Sequence, residues 1–381
     1  MTQKQKEILQ VPLLDIPASY EQILADVEKK ISEVIRSGRF ILGPVVEELE
    51  ARIADYCGTK YAVGVSSGTD ALLVSLMAAG VGEGDEVITT PFTFFATAGS
   101  IARVGAHPVF VDIEPETFNI DPKQIENKIT GKTRALMPVH LYGQCANMDS
   151  ILEMAREHGL AVIEDAAQAI GSEYKGQRAG SIGDYGCLSF FPTKNLGGFG
   201  DAGMVTMSSK ELYERVKILR VHGSEPKYFH KTIGGNFRVD AIQAAVVLAK
   251  LNYLDHWTEQ RRQNAKTYKK LFEEKGLLDS LKLPSEAAPR HVYNQYVIRV
   301  KDYRNDLRQF LDKNYVATEV YYPLPLHLQE CFGSLGYHQG DFPFAERAST
   351  EVLALPIYPE LTENQLEYVV EMVAHFFEKI T

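Results

Sequence analysis

LAVIEDAAQ, residues 160–168, is a nearly unbroken apolar run that closes on Glu164 and Asp165. A strand with one solvated face alternates apolar and polar residues. A run without alternation suits a strand buried on both faces, and such strands belong to mostly parallel sheets covered by helices. An ionised Asp165 at the end of that strand is costly to bury unless a cation or hydrogen-bond donors meet it. A structural salt bridge, a helix cap or a protonated heterocyclic nitrogen would each serve.

Outward from this stretch, β-rich runs recur at 61–65, 86–90, 108–112, 135–140, 186–191 and 203–207. Segments of helical period lie between them, at 45–56, 70–79, 148–158 and 210–219. The pattern predicts an α/β fold: a mostly parallel sheet with helices on both faces. Beyond Val239 the character changes. Helical patterns at 239–253 and 257–275 lead into the Pro-containing link LKLPSEAAPR. A shorter alternation follows, with a strand at 293–300, a helix near 305–311, a strand at 318–322 and a closing helix from 363 to about 378. We expect a large domain over 1–250, with residues 1–12 as a tail, and a smaller C-terminal α+β domain over 251–381. The boundary falls within 250–285.

Composition narrows the classes. The chain of 381 residues has 40 Lys+Arg against 50 Asp+Glu, a net charge of −10, which argues against non-specific binding to nucleic acid or anionic membrane. Its apolar runs are too short to span a bilayer. The N-terminal segment lacks the small-residue cleavage site of a signal peptide. The four cysteines, Cys57, Cys145, Cys187 and Cys331, form no CxxC pair and no metal-ligand spacing. They read as reduced thiols of a cytoplasmic protein without a metal site.

Ligands of open α/β sheets sit at the carboxyl ends of the strands, and three ends here carry unusual residues. Ser66-Ser67-Gly68-Thr69-Asp70 follows the run at 61–65 and opens an apolar helix, where backbone N–H groups could hold a phosphate or the Ser could simply cap the helix. Asp165 closes the second run. Lys194 projects from the turn PTKNLGG after the run GCLSFF. Most lysines are solvated, but one at the end of a buried strand suits Schiff-base chemistry, because burial frees the amine as a nucleophile. A phosphate-type loop, a strand-end Asp and a strand-end Lys in one sheet are together what pyridoxal phosphate requires. Phe92, Phe94 and Phe95 offer an aromatic to stack on its ring, with core packing expected for at least one of them.

Two other features need weighing. Gly198, Gly200 and Gly203 fit G-x-G-x-x-G, but a lysine-bearing loop precedes them and a strand follows, so the dinucleotide reading fails on context. Between Lys217 and Arg238 stand five Lys/Arg, His222 and His230 against one acid, Glu225. In an acidic chain this reversal suits an anionic substrate such as a diphosphate, and a solvated basic loop equally well.

The succession SSGTDAL, DEVITTPFTFFAT, GAHPVFVDI, MPVHLYGQ, VIEDAAQAIGS, LSFFPTKNLGGFGDAG, NFRVDAIQAA and YYPLPLHLQ resembles the DegT/DnrJ-type sugar aminotransferases, over about residues 39–360. These are pyridoxal-phosphate enzymes of fold type I, aspartate-aminotransferase-like, acting on nucleotide-linked keto sugars. Their amino sugars go to surface polysaccharide, lipopolysaccharide or glycosides. The resemblance implies that Lys194 bonds to the cofactor aldehyde and shuttles the proton, that Asp165 pairs with the pyridinium nitrogen and that Gln168 contacts the phenolic oxygen. It implies stacking by Phe94, phosphate contacts from Gly68, Thr69 and Ser189, and a contact from Asn236 to the phosphate in a neighbouring subunit. A homodimer with shared sites follows. The family also contains dehydratases with histidine in place of the lysine, so Lys194 points to amino transfer. HGSEPKYFH followed by IGGNFR looks more like members that aminate C3 than C4, which makes Lys227, Tyr228 and His230 substrate-side candidates, with His327 from YYPLPLHLQ. Glutamate is the implied donor. The alternatives are C4 amination, or a lyase or non-sugar transaminase on the same fold. Phe191 stands where many relatives have Tyr or His, and Asp201-Ala202-Gly203 where they more often carry two glycines.

Overall fold

A computed structural model describes residues 9–380. Seven strands form the main sheet: β1 (Tyr61–Val65), β2 (Glu86–Thr89), β3 (His107–Phe110), β4 (Thr133–Leu136), β5 (Ala161–Asp165), β8 (Tyr185–Ser189) and β9 (Gly203–Met207). A two-residue hairpin, β6 (Glu173–Tyr174) and β7 (Gln177–Arg178), lies between β5 and β8. The main-sheet order is β1-β9-β8-β5-β4-β2-β3. Only β9 runs antiparallel to its neighbours. The other six strands therefore share one direction, and their carboxyl ends form a single rim.

Period-two alternation explains why both faces are covered. Ala62, Leu188 and Met204 join Leu49, Ile53, Ala244 and Leu248, from helices Pro44–Cys57 and Ala241–Leu251, in one buried cluster. Their neighbours Val63, Cys187 and Val205 belong to another, with Leu72 and Leu76 of the helix Gly68–Ala78. That helix is apolar all round and lies buried between the sheet and the helix Ala96–Arg103, as a helix without a polar face must.

The C-terminal part forms a two-stranded antiparallel sheet, β10 (Tyr296–Arg299) with β11 (Val352–Leu355), covered by helices Leu254–Glu274, Arg304–Lys313 and Glu363–Ile380. Its hydrophobic cluster reaches into the main body through Phe92, Phe110, Val139 and Tyr142. Two expectations are corrected here. The strand expected at 318–322 is a single bridge, Glu319 to Ala354, after which the chain turns; the strand that pairs with β10 is β11. The helix Pro343–Glu351 runs straight into β11 without a breaker, so an apolar run of four carries no sign of the change. Of the tail expected over residues 1–12, residues 1–8 lie outside the described residues. Val11 is buried and pairs with the bridge residue Val316, because its side chain completes the C-terminal cluster.

Candidate active site

The rim collects the residues singled out at the strand ends. Ser67 caps the helix Gly68–Ala78 by accepting the Asp70 N–H at 3.0 Å. Gly68 has no room for a side chain: a Cβ there would fall 2.6 Å from Cβ and 3.0 Å from Oγ of Ser189 at the end of β8. A helix N-terminus and a serine hydroxyl are thus pressed together from two strands, a cradle suited to an anion.

Asp165 is buried at the end of β5. Its Oδ2 accepts from Thr97 Oγ1 at 2.8 Å and its Oδ1 from the Ala167 N–H at 3.2 Å. Burial pushes the carboxyl up from the usual range, while those bonds and the charges of Lys194 and His140 oppose the rise. Gln168, also buried, accepts the Tyr142 N–H at 2.7 Å through Oε1 and donates through Nε2 to the Tyr322 hydroxyl at 3.1 Å. Its amide is therefore fixed with the donor towards Tyr322. Lys194 lies half-buried in the turn after β8, its N–H bonded to Phe191 O at 2.9 Å. Desolvation drives its ammonium down to about 8, against the pull of Asp165. A good fraction of the amine is then neutral near pH 7–8, as a nucleophile needs.

The three phenylalanines divide as their surroundings dictate. Phe92 is core, packed near Phe118 and Tyr322; Phe95 lies against Phe332; Phe94 is 57% exposed, its ring 6.3 Å from that of Tyr322. Phe94 is the most exposed of the three rings.

The basic segment behaves differently. Residues 221–236 form an irregular hairpin with bridges Val221–Asn236 and Ser224–His230, anchored at its base by Ser66 N–H to Phe237 O at 2.9 Å. Asn236, Lys227, Tyr228 and His230 are all exposed. Lys227 Nζ lies 4.9 Å from the Tyr228 ring centre, and His230 Nδ1 donates to His222 O at 2.8 Å. None of these side chains hydrogen-bonds or ion-pairs with Lys194 of the same chain. Nor does the fold bring His327 to the cleft: that ring is fully buried, edge-on to Phe342 at 4.7 Å, with Nε2 3.1 Å from Glu346. The turn Leu326–Leu328 directs it into the core.

Sequence reasoning missed Thr97, Tyr142 and Tyr322, which hold Asp165 and Gln168. All are common residue types; they fall within the stretches TTPFTFFATA, MPVHLYGQ and YYP, which gave no sign of these contacts. Among the described residues no cluster of metal-ligating side chains occurs, and no helix is long and apolar enough to cross a membrane.

The donor set fits pyridoxal phosphate: an anion cradle a Cβ would fill, a desolvated carboxylate awaiting a cationic ring nitrogen, an oriented amide and an amine of lowered basicity. Comparison with known proteins agrees. The profile of the DegT/DnrJ/EryC1/StrS aminotransferase family matches residues 21–374. The chain is 54% identical to the "Pleiotropic regulatory protein" of Geobacillus stearothermophilus, over 97% of this chain and 99% of that protein. It is 41% identical to the dTDP-3-amino-3,4,6-trideoxy-alpha-D-glucose transaminase of Streptomyces venezuelae, over 98% of each. The crystal structure of S. venezuelae DesV in complex with a ketimine intermediate superposes with a TM-score of 0.93 at 41% identity, covering 97% of this chain and 99% of that one.

Proposed function

As this chain belongs to the DegT/DnrJ/EryC1/StrS aminotransferase family, we propose that it is a pyridoxal-phosphate-dependent transaminase that places an amino group on C3 of a nucleoside-diphosphate keto sugar, with glutamate as donor. The observation that carries this is the electrostatic pairing of Lys194, in the turn after β8, with Asp165 at the end of the adjacent parallel strand β5, beside the Gly68–Ser189 cradle.

Bound there, pyridoxal phosphate supplies an electron sink for the carbon that loses its proton. The chain supplies the rest. Gly68, Thr69 and Ser189 hold the phosphate at a helix N-terminus. Asp165, braced by Thr97 and Ala167, keeps a proton on the ring nitrogen. Gln168, fixed by Tyr142, contacts the phenolic oxygen. Phe94 covers one ring face. Lys194 would hold the cofactor aldehyde through its neutral amine and, when free, would carry a proton as general acid and base.

The other half of the site comes from a second copy. Tyr228, Phe229 and Ile233 are 78%, 68% and 88% exposed on the hairpin that also holds Lys227, His230 and Asn236. Large apolar side chains in that number mark an interface. In a homodimer the hairpin brings Asn236 to the partner's phosphate, and Lys227, Tyr228 and His230 to the nucleotide sugar. The protein works in the cytoplasm, where its four free cysteines stay reduced.

Glutamate and a nucleotide-linked 3-keto sugar, supplied together, should yield the 3-amino sugar and 2-oxoglutarate. Turnover with the 4-keto isomer alone would shift the reading to C4 amination, and turnover with keto acids alone would replace the sugar. The name of the G. stearothermophilus relative raises a regulatory reading. Single-turnover kinetics on the loaded protein separate the two, because a regulator without chemistry transfers no amino group.

A further inference from the structure

The helix Ala241–Leu251 carries a lysine that the reaction above leaves without a role. Lys250 is 4% exposed. Its Nζ donates to the carbonyl of Gly197 at 2.5 Å and to the Tyr20 hydroxyl at 3.4 Å. The rings of Tyr20, Trp257 and Phe199 surround it, with centres 4.5, 5.9 and 6.0 Å away. A leucine or methionine would fill this aromatic cage without the cost of burying an amine. Burial drives the ammonium down to about 8, with the charge of Glu360 opposing. The position thus retains an expensive group whose short bond goes to one loop carbonyl.

That loop is the one bearing Lys194. It doubles back on itself: a Cβ on Gly197 would fall 2.5 Å from Pro192 O and 2.8 Å from Phe191 O, and the Gly198 N–H bonds to Phe190 O at 2.7 Å. Any shift of Gly197 is therefore felt at Pro192 and the residues after it. Two turns earlier on the same helix, Gln243 accepts the Phe199 N–H at 2.8 Å, so one helix face clamps the far end of the loop twice. The near end is tethered separately, through Asn195 Nδ2, which donates to Val292 O at 3.0 Å. Thr193 and Lys194 line a cleft together with Tyr20, Lys250 and Trp257.

We infer that Lys250 is a positioning residue for Lys194: through the Gly197 carbonyl it fixes the loop that presents the reactive amine to Asp165. The inference rests on the reading of Lys194 as the cofactor lysine. Lys250→Met keeps the apolar stem and removes the donor. In the protein loaded with pyridoxal phosphate, amide hydrogen exchange across residues 192–200 should then rise about tenfold, the usual scale for losing a charge-assisted bond. Exchange across 61–78 should stay unchanged, and the pH midpoint of the visible cofactor band should move. Lys250→Arg, which keeps charge and donor, should restore both readouts. Should the methionine variant fail to fold, Lys250→Gln, too short to reach Gly197, is read by the same two measures and should move them in the same direction. Wild-type exchange and a wild-type midpoint in whichever variant folds would overturn the positioning role alone. Absence of the visible band in the wild-type protein would overturn the cofactor reading beneath it, and the inference with it.

Discussion

The wall around Lys194 and the hairpin 221–236 both carry candidate site residues, yet their surroundings are opposite. In the wall, Asp165 and Gln168 are buried and hydrogen-bonded at both ends of their polar groups, and Lys194 is desolvated by its own chain. On the hairpin, Tyr228 and Ile233 stand in solvent, and the cations pair only locally, as Lys231 does with Glu225 at 2.6 Å. A buried polar group without partners is costly, so the chain completes the wall by itself. An apolar side chain left in water signals a missing surface instead. On the proposed reading, the catalytic half of the site is built within one chain and the substrate half is completed by a second copy.

The largest effect expected is from Lys194→Ala. Turnover should fall by roughly 10³-fold or more, since both the nucleophile and the proton carrier are lost. Activity within tenfold of wild type would remove Lys194 from the wall's chemistry. Asp165→Asn should come next: about 10²-fold or more in kcat, with cofactor affinity nearly kept, because Thr97 and Ala167 can still hold the side chain. Steady-state rates and cofactor titration read the two quantities separately, and unimpaired kcat would sink the ring-nitrogen role.

The contrast between wall and hairpin is sharpened by mixing. A Lys194→Ala chain and a chain with Asn236, Tyr228 and His230 all changed to Ala should each be inactive. Refolded together at equal amounts they should regain about a quarter of wild-type activity, since half the dimers are mixed and each has one whole site. No recovery, with mixed dimers demonstrated on a gel, would mean that each hairpin serves its own chain. The last effect is on rate against pH. With a Lys194 amine titrating at about 8, cofactor capture by the apo-protein should climb about tenfold per pH unit below that value and level off above it, because only the neutral amine attacks. A flat profile between pH 6 and 8 would indicate an amine already unprotonated.

Much of the wall was legible because its residues close long apolar runs. Helices Met148–His158 and Lys210–Leu219 and strand β9 stand where periodicity puts them, and β5 and β8 differ only at their ends. Lys194 and Asp165 were visible for the same reason, as costly groups at the ends of buried strands. What supports them was not. Thr97 lies 68 residues from Asp165 and Tyr322 lies 154 from Gln168, and only the folded sheet joins them. The hidden role of Lys250 has a similar cause: in LAKLNYLD it reads as an ordinary helix lysine, and its burial depends on Tyr20 and Trp257 from other elements. His327, a substrate-side candidate by resemblance alone, packs edge-on against Phe342, a contact its sequence context gives no sign of.

The central claim is that Lys194 holds pyridoxal phosphate and that glutamate discharges it. The visible absorption spectrum of the purified protein with pyridoxal phosphate, before and after adding glutamate, tests it most directly. The account predicts a visible band from lysine-bound cofactor, absent in Lys194→Ala, which glutamate converts to the pyridoxamine form. A protein that forms no such band, or a Lys194→Ala variant that keeps it, would contradict the account.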